Sequence, residues 1–170
     1  RALAQLREMG HEPVSMDFAP LHATAELLYG GPWVAERHAA VQDLLARDPA
    51  AFDPVVRQVI EGATRFSATD AFRGQYALRA AARRADAQWS VVDVLMVPTA
   101  PGHPTFADID ADPVGANARL GRFTNFVNLL GWSALAVPAG RADDGLPFGV
   151  TFIGPAQADA ALARLGGQWQ

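Results

Sequence analysis

Two apolar runs decide the fold, "ALAVPAG" at Ala134–Gly140 and "PFGVTFIGP" at Pro147–Pro155. Each is short, rich in apolar residues and bounded by Gly or Pro, so each reads as a strand. Asp143, Asp144 and Gly145 between them have the chemistry of a tight turn, so the two strands form a hairpin. A third run, "VDVLMVPTAP" at Val92–Pro101, ends in prolines and reads as a buried strand that leads into a loop. The segment Thr99 to Pro113 that follows is rich in Pro, Gly and Asp and reads as a long loop. Loops of that length are often functional.

The rest of the chain has helical periodicity. "RALAQLREMG" places Leu3, Leu6 and Met9 on one face and stops at Gly10, where a left-handed residue can end a helix. It has no cap in front and reads as a chain cut at its start. "PVSMDF" alternates like a strand, with Val14 and Met16 on one face. Leu21 to Tyr29 reads as a helix, broken by Gly30–Gly31–Pro32. Pro32 then suits the first position of a helix that continues to Arg47. A short helix follows Pro54, and Ser67 with Asp70 makes a capping box ahead of a long helix that reaches about Trp89. "VGANARLGRFTNFVNLLG" reads as two helical pieces, and "ADAALARLGG" as a last helix. Helices first and strands separated by helices later imply an α/β layer: a mixed β-sheet covered by helices, in one domain piece rather than two domains.

Composition narrows the function. The 170 residues suffice for one real core, and half of them are apolar. A net charge of −4 argues against nucleic acid as a partner. No apolar run approaches the roughly 20 residues that span a bilayer, so no membrane association is expected. With no signal peptide in view, the expected location is cytoplasmic. Cysteine is absent, which removes disulfides, thiolate catalysis and cysteine-bound zinc. All fourteen basic residues are arginine. No lysine base or Schiff base can be completed within these residues.

The usual catalytic patterns are missing. Ser15, Ser67, Ser90 and Ser133 lie in no glycine elbow, and Ser133 after Gly131–Trp132 reads as a turn residue. No glycine-rich loop matches a phosphate cradle or dinucleotide fingerprint. His22 and Glu26 are four apart and could place two ligands on one helix face, but a surface pair is the better reading. No metal and no cofactor are expected.

One feature remains, "LYGGPWVAER" at Leu28–Arg37. From Trp33, steps of four, three and four reach Arg37, Ala40 and Leu44, one stripe of a helix. An arginine on such a stripe needs an anionic partner. The partner can be a carboxylate of the chain, Asp17 or Glu26, in a structural pair. It can also be a ligand, since a guanidinium holds a carboxylate by two parallel hydrogen bonds. The helix start at Trp33 and Val34 would add free N–H groups, Tyr29 a hydroxyl, and Gly30 and Gly31 room for close approach.

Taken together, "LYGGPWVAER", "VDVLMVPTAP", "NARLGRFTNFVNLLGWSALAVPAG" and "DGLPFGVTFIGPAQAD" resemble the amidase domain of the allophanate hydrolases, within the amidase signature family. The last two stretches carry the broad family, and the Tyr-to-Arg stretch with "TNFVNLL" narrows it. The likeness covers nearly all of the chain. It implies that residues 1–170 are the C-terminal portion of a single amidase domain whose N-terminal catalytic half is absent here. The implied reaction is hydrolysis of allophanate to ammonia and an N-carboxylated carbamate, in urea degradation. A serine nucleophile acts through a second serine and a lysine, none of them in this region. The resemblance assigns the substrate's carboxylate end to Tyr29 and Arg37. It further implies a small-molecule partner, allophanate, and a homodimer for the full-length protein. Gly30 departs from a position that is usually acidic in the family, and Gly131 from one that is often aspartate. Two alternatives stay open: another amidase of this family with a different small carboxylated amide, and a non-catalytic binding or scaffold protein.

Overall fold

The structure is a computed structural model that describes residues 1–170, apart from the side chain of Tyr29. Its centre is β3 (Pro147–Gly154), flanked by β1 (Leu95–Pro98) and β2 (Ser133–Arg141) in the order β1-β3-β2. Both pairings are antiparallel, with Leu95 and Ala134 opposite Ile153 and with Met96 and Leu135 opposite Phe152. The expected sheet was mixed, but the three strands described here are antiparallel throughout. The hairpin turns through Asp143–Gly145 as its residues imply. Gly145 adopts φ +83°, and the Asp144 carboxylate accepts a hydrogen bond from the Leu146 N–H. A bulge between Pro138 and Arg141 contains Gly140 at φ +99°, a conformation that few other residues take without strain.

β3 is apolar on both sides because helices cover both sides of the sheet. Val150 and Phe152 pack with Leu6 of α1 (Ala2–Glu8), Val137 of β2, and Leu162 and Trp169 of α9 (Asp159–Trp169). Ile153, one residue on, faces the other way. It packs with Leu95 and Val97 of β1, Leu21 of α2 (Ala19–Gly30), and Ala85 of α5 (Ala68–Asp86). Phe126 and Val127 of α8 (Asn125–Leu130) and Trp132 complete that layer. Indole N–H groups tie the layers: Trp132 donates to the Asp86 carboxylate at 3.0 Å and Trp169 to the Pro138 carbonyl at 2.7 Å.

Four further expectations change. "PVSMDF" forms no strand among the described residues and ends with Phe18 in the helical region as the N-cap of the next helix; Met16 and Phe18 reach the core while Val14 is 54 % exposed. Alternation alone does not supply a neighbouring strand edge, and Pro13 removes one donor. The long loop after β1 contains a helix, α6 (Phe106–Ala111), started by a capping box of Thr105 and Asp108. Asp112 then caps α7 (Pro113–Leu120). Ser133 is no turn residue. It is a buried first residue of β2, and its hydroxyl donates to Asp159 at 2.9 Å and accepts from the Ala158 N–H, joining the sheet to the start of α9.

The fourth change concerns α3 (Trp33–Arg47). Its inward face is Val34, His38, Val41 and Leu45, with Val34 buried and the others half-buried. The expected stripe of Trp33, Arg37, Ala40 and Leu44 lies one residue over. Of these only Trp33 is half-buried, and Arg37, Ala40 and Leu44 are exposed. Adjacent residues are 100° apart on a helix, so both stripes read as apolar, and packing selects one. That packing is against α4 (Pro54–Glu61) and the turn Gly62–Arg65.

Three aspartates hold helix starts and are acidified by doing so. Hydrogen bonds from the side chain and backbone of Ser67 lower the Asp70 pKa, and those of Thr105 do the same for Asp108. For Asp112 the cause is the hydrogen bond from Arg119, with that from the Gly115 N–H. A carboxylate with a depressed folded-state pKa contributes stability above its unfolded value and loses it as pH falls through the folded one. The caps are therefore expected to contribute in full above about pH 3.9, the ordinary aspartate value, and to lose that contribution only as pH falls further, through the depressed folded-state values. Protection against amide exchange in the first turns of α5, α6 and α7, relative to the intrinsic rate at each pH, should fall over that range, and Asp108→Asn should remove the pH dependence at α6 alone.

Candidate functional site

The site that the sequence singles out is the corner between α2 and α3. Gly31 is extended (φ −101°), and its N–H donates to the Leu27 carbonyl at 2.9 Å, closing α2. A Cβ on Gly31 would collide with that same carbonyl oxygen and come within 2.9 Å of the Trp33 ring. Glycine is required there by close approach rather than by a positive φ. Pro32 precedes α3 as its N-cap, one position earlier than expected, and its carbonyl accepts from the Ala35 N–H. Among the described residues no side chain caps α3, which leaves the N–H groups at Trp33 and Val34 without a capping side chain there.

Arg37 lies one turn into α3. It is exposed and, among the described residues, makes no ion pair and no hydrogen bond. The structural pair with Asp17 or Glu26 is therefore not formed. Asp17 instead accepts from the Ala19 N–H at 2.9 Å at the start of α2. Tyr29 falls in the last turn of α2, and its side chain lies outside the described residues.

Two concavities occur near the expected functional segments, and Arg37 lines neither. An open one of about 450 Å³ is bounded by Asp17, Phe18, Ala19, His22, Ala23 and Glu26. His22 packs edge-on against Phe18 at 4.8 Å and stands 6.3 Å from Phe123. His22 and Glu26 thus share a surface, but no group of three or more potential ligands that could hold a metal occurs among the described residues. The second, about 240 Å³, lies between the Pro101–Pro104 loop and α7, with Arg119 engaged by Asp112 at 2.9 Å.

Three of the four serine hydroxyls also have structural partners. Ser67 caps α5, Ser90 donates to the Ala87 carbonyl, and Ser133 binds Asp159. Thr99, at the end of β1, shares a 2.9 Å hydrogen bond with Thr151 of β3. Two features escaped the sequence reading. The Thr105–Asp108 box carries the same signal as Ser67–Asp70 but sits inside a Pro-rich segment. Gly74, in the middle of α5, was masked by the strong helical pattern around it.

A family model described as Amidase matches residues 1–163. The urea amidolyases of Lachancea kluyveri and Saccharomyces cerevisiae are 44% and 43% identical to the chain, each over 99% of it and 9% of their own length. A solved Kluyveromyces lactis allophanate hydrolase superposes with a TM-score of 0.93 at 42% identity, over 99% of this chain and 28% of that one. A further amidase structure gives a TM-score of 0.80 at 22% identity, a likeness of fold alone. The chain thus spans 9% of the length of each urea amidolyase and 28% of that of the allophanate hydrolase. Its helix-covered sheet is part of the amidase signature fold, and the chain belongs to the amidase family.

Proposed function

We propose that this chain is the portion of an allophanate hydrolase that holds the substrate's carboxylate, through Arg37 and Tyr29. The observation that carries the reading is Arg37 itself: an exposed guanidinium, without a partner among the described residues, in the first turns of a helix with an open N-terminus. The likeness to urea amidolyases and to an allophanate hydrolase over nearly the whole chain supports it. A carboxylate set against Arg37 would gain two parallel charged hydrogen bonds, with the α3 dipole aligned in the same sense. The scissile amide would then be held at a fixed distance from that anchor, for attack by catalytic groups outside these residues.

Arg37→Lys keeps the charge and loses the fork. In the full-length product of the gene it should lower kcat/KM for allophanate by roughly 10- to 150-fold, from about 1.5–3 kcal/mol per charged hydrogen bond. Biuret, with a carboxamide in place of the carboxylate, should lose much less. Tyr29→Phe should act in the same direction and more weakly. Equal losses on both substrates with a lowered melting temperature would assign Arg37 to the scaffold instead.

A further inference from the structure

The geometry points to Gly74 as a positioning residue that sets where the Pro32–Trp33 corner sits, and through it where Arg37 reaches. This deepens the preceding proposal and rests on it.

Gly74 is buried inside the nineteen-residue helix α5, 42 positions along the chain from Pro32 at the α2–α3 corner. Glycine is a poor residue for a helix interior, so its presence there calls for a reason in packing. A Cβ built on Gly74 would lie 2.7 Å from Cγ and 2.9 Å from Cδ of Pro32, and 3.3 Å from Cζ3 of Trp33. The same Trp33 atom stands 2.9 Å from where a Cβ on Gly31 would be. The edge of the Trp33 ring thus sits where two side chains are missing, and the Pro32 ring rests on the bare backbone of α5. Pro32 is a rigid ring and cannot turn aside as a long side chain would. A methyl group at position 74 must therefore move the corner.

The displacement has a short path to Arg37. Pro32 is the N-cap of α3, Trp33 its first residue, and Arg37 follows one turn later on the same stripe as Trp33. Below that corner α3 is held by Val34 and by contacts with α4 and the turn Gly62–Arg65. Pushing on its first residue tilts the helix about those contacts. A bidentate grip on a carboxylate tolerates little such movement.

The test uses the full-length gene product and compares kcat/KM for allophanate with that for biuret. Gly74→Ala should lower the allophanate-to-biuret ratio by about 10-fold, below the roughly 100-fold that a 1 Å misplacement can cost. Pro32→Ala approaches the same contact from the other side. It empties the seat and should lower the ratio too, which keeps the proposal testable if Gly74→Ala does not fold. The double variant places the new methyl group in the space the ring has left, and should recover most of the ratio, a coupling of the kind expected for touching residues. A folded Gly74→Ala with an unchanged ratio, or a double variant no better than the singles, overturns the proposal. Arg37→Lys is run in parallel. If it lowers the ratio while Gly74→Ala does not, the carboxylate site stands and the positioning role is wrong. If Arg37→Lys leaves the ratio unchanged, the site reading fails and the role of Gly74 falls with it.

Discussion

Purified alone, residues 1–170 are expected to release no ammonia from allophanate above a heat-killed control. The chain has no lysine, and its fourteen arginines stay protonated near neutral pH and cannot serve as a base. The hydroxyls of Ser67, Ser90 and Ser133 donate to the Asp70 carboxylate, the Ala87 carbonyl and the Asp159 carboxylate, and no serine–histidine hydrogen bond occurs among the described residues. Removing a catalytic serine unit costs on the order of 10⁶ in kcat, so residual turnover should fall below detection in an ammonia assay. The comparison is the full-length gene product under identical conditions. Turnover by the 170 residues alone would place the catalytic groups inside them and overturn the assignment of chemistry to the rest of the protein.

The second large effect is expected at Phe152. Its side chain is fully buried on the central strand, against Val150, Leu162 and the edge of the Trp169 ring at 5.3 Å. Phe152→Ala removes the contact on which α1 and α9 close over the sheet, and neighbours held in three elements cannot collapse into the gap. The expected cost is about 3–5 kcal/mol, a large share of the 5–15 kcal/mol typical of a whole domain. Phe106→Ala is the control, since that ring is 91 % exposed and should stay within about 0.5 kcal/mol of the parent. Urea unfolding of the full-length product measures both. Similar midpoints for the two variants would mean that the β3 core does not govern stability.

The parts of this structure that were legible in the sequence are those whose signals are local. Ser67 and Asp70 satisfy each other across three residues, Gly145 supplies the positive φ of its turn, and the continuous apolar run of β3 announces burial on both faces. Thr105 and Asp108 are equally local, but the Pro and Gly around them suggested a loop.

What the sequence by itself determined is the family, the existence of the hairpin and of every helix but α6, and the absence of any lysine. What only the tertiary structure decided are relations between elements. It selected the Val34–Leu45 face of α3 over the Arg37 stripe one residue away, because a 100° rotation is set by what the helix packs against. It left "PVSMDF" unpaired, because alternation does not create a neighbouring strand. It made Ser133 a tie between the sheet and α9, and it placed Gly74 under Pro32, 42 positions back in the chain, because close packing depends on which backbones meet in space and not on their separation in sequence.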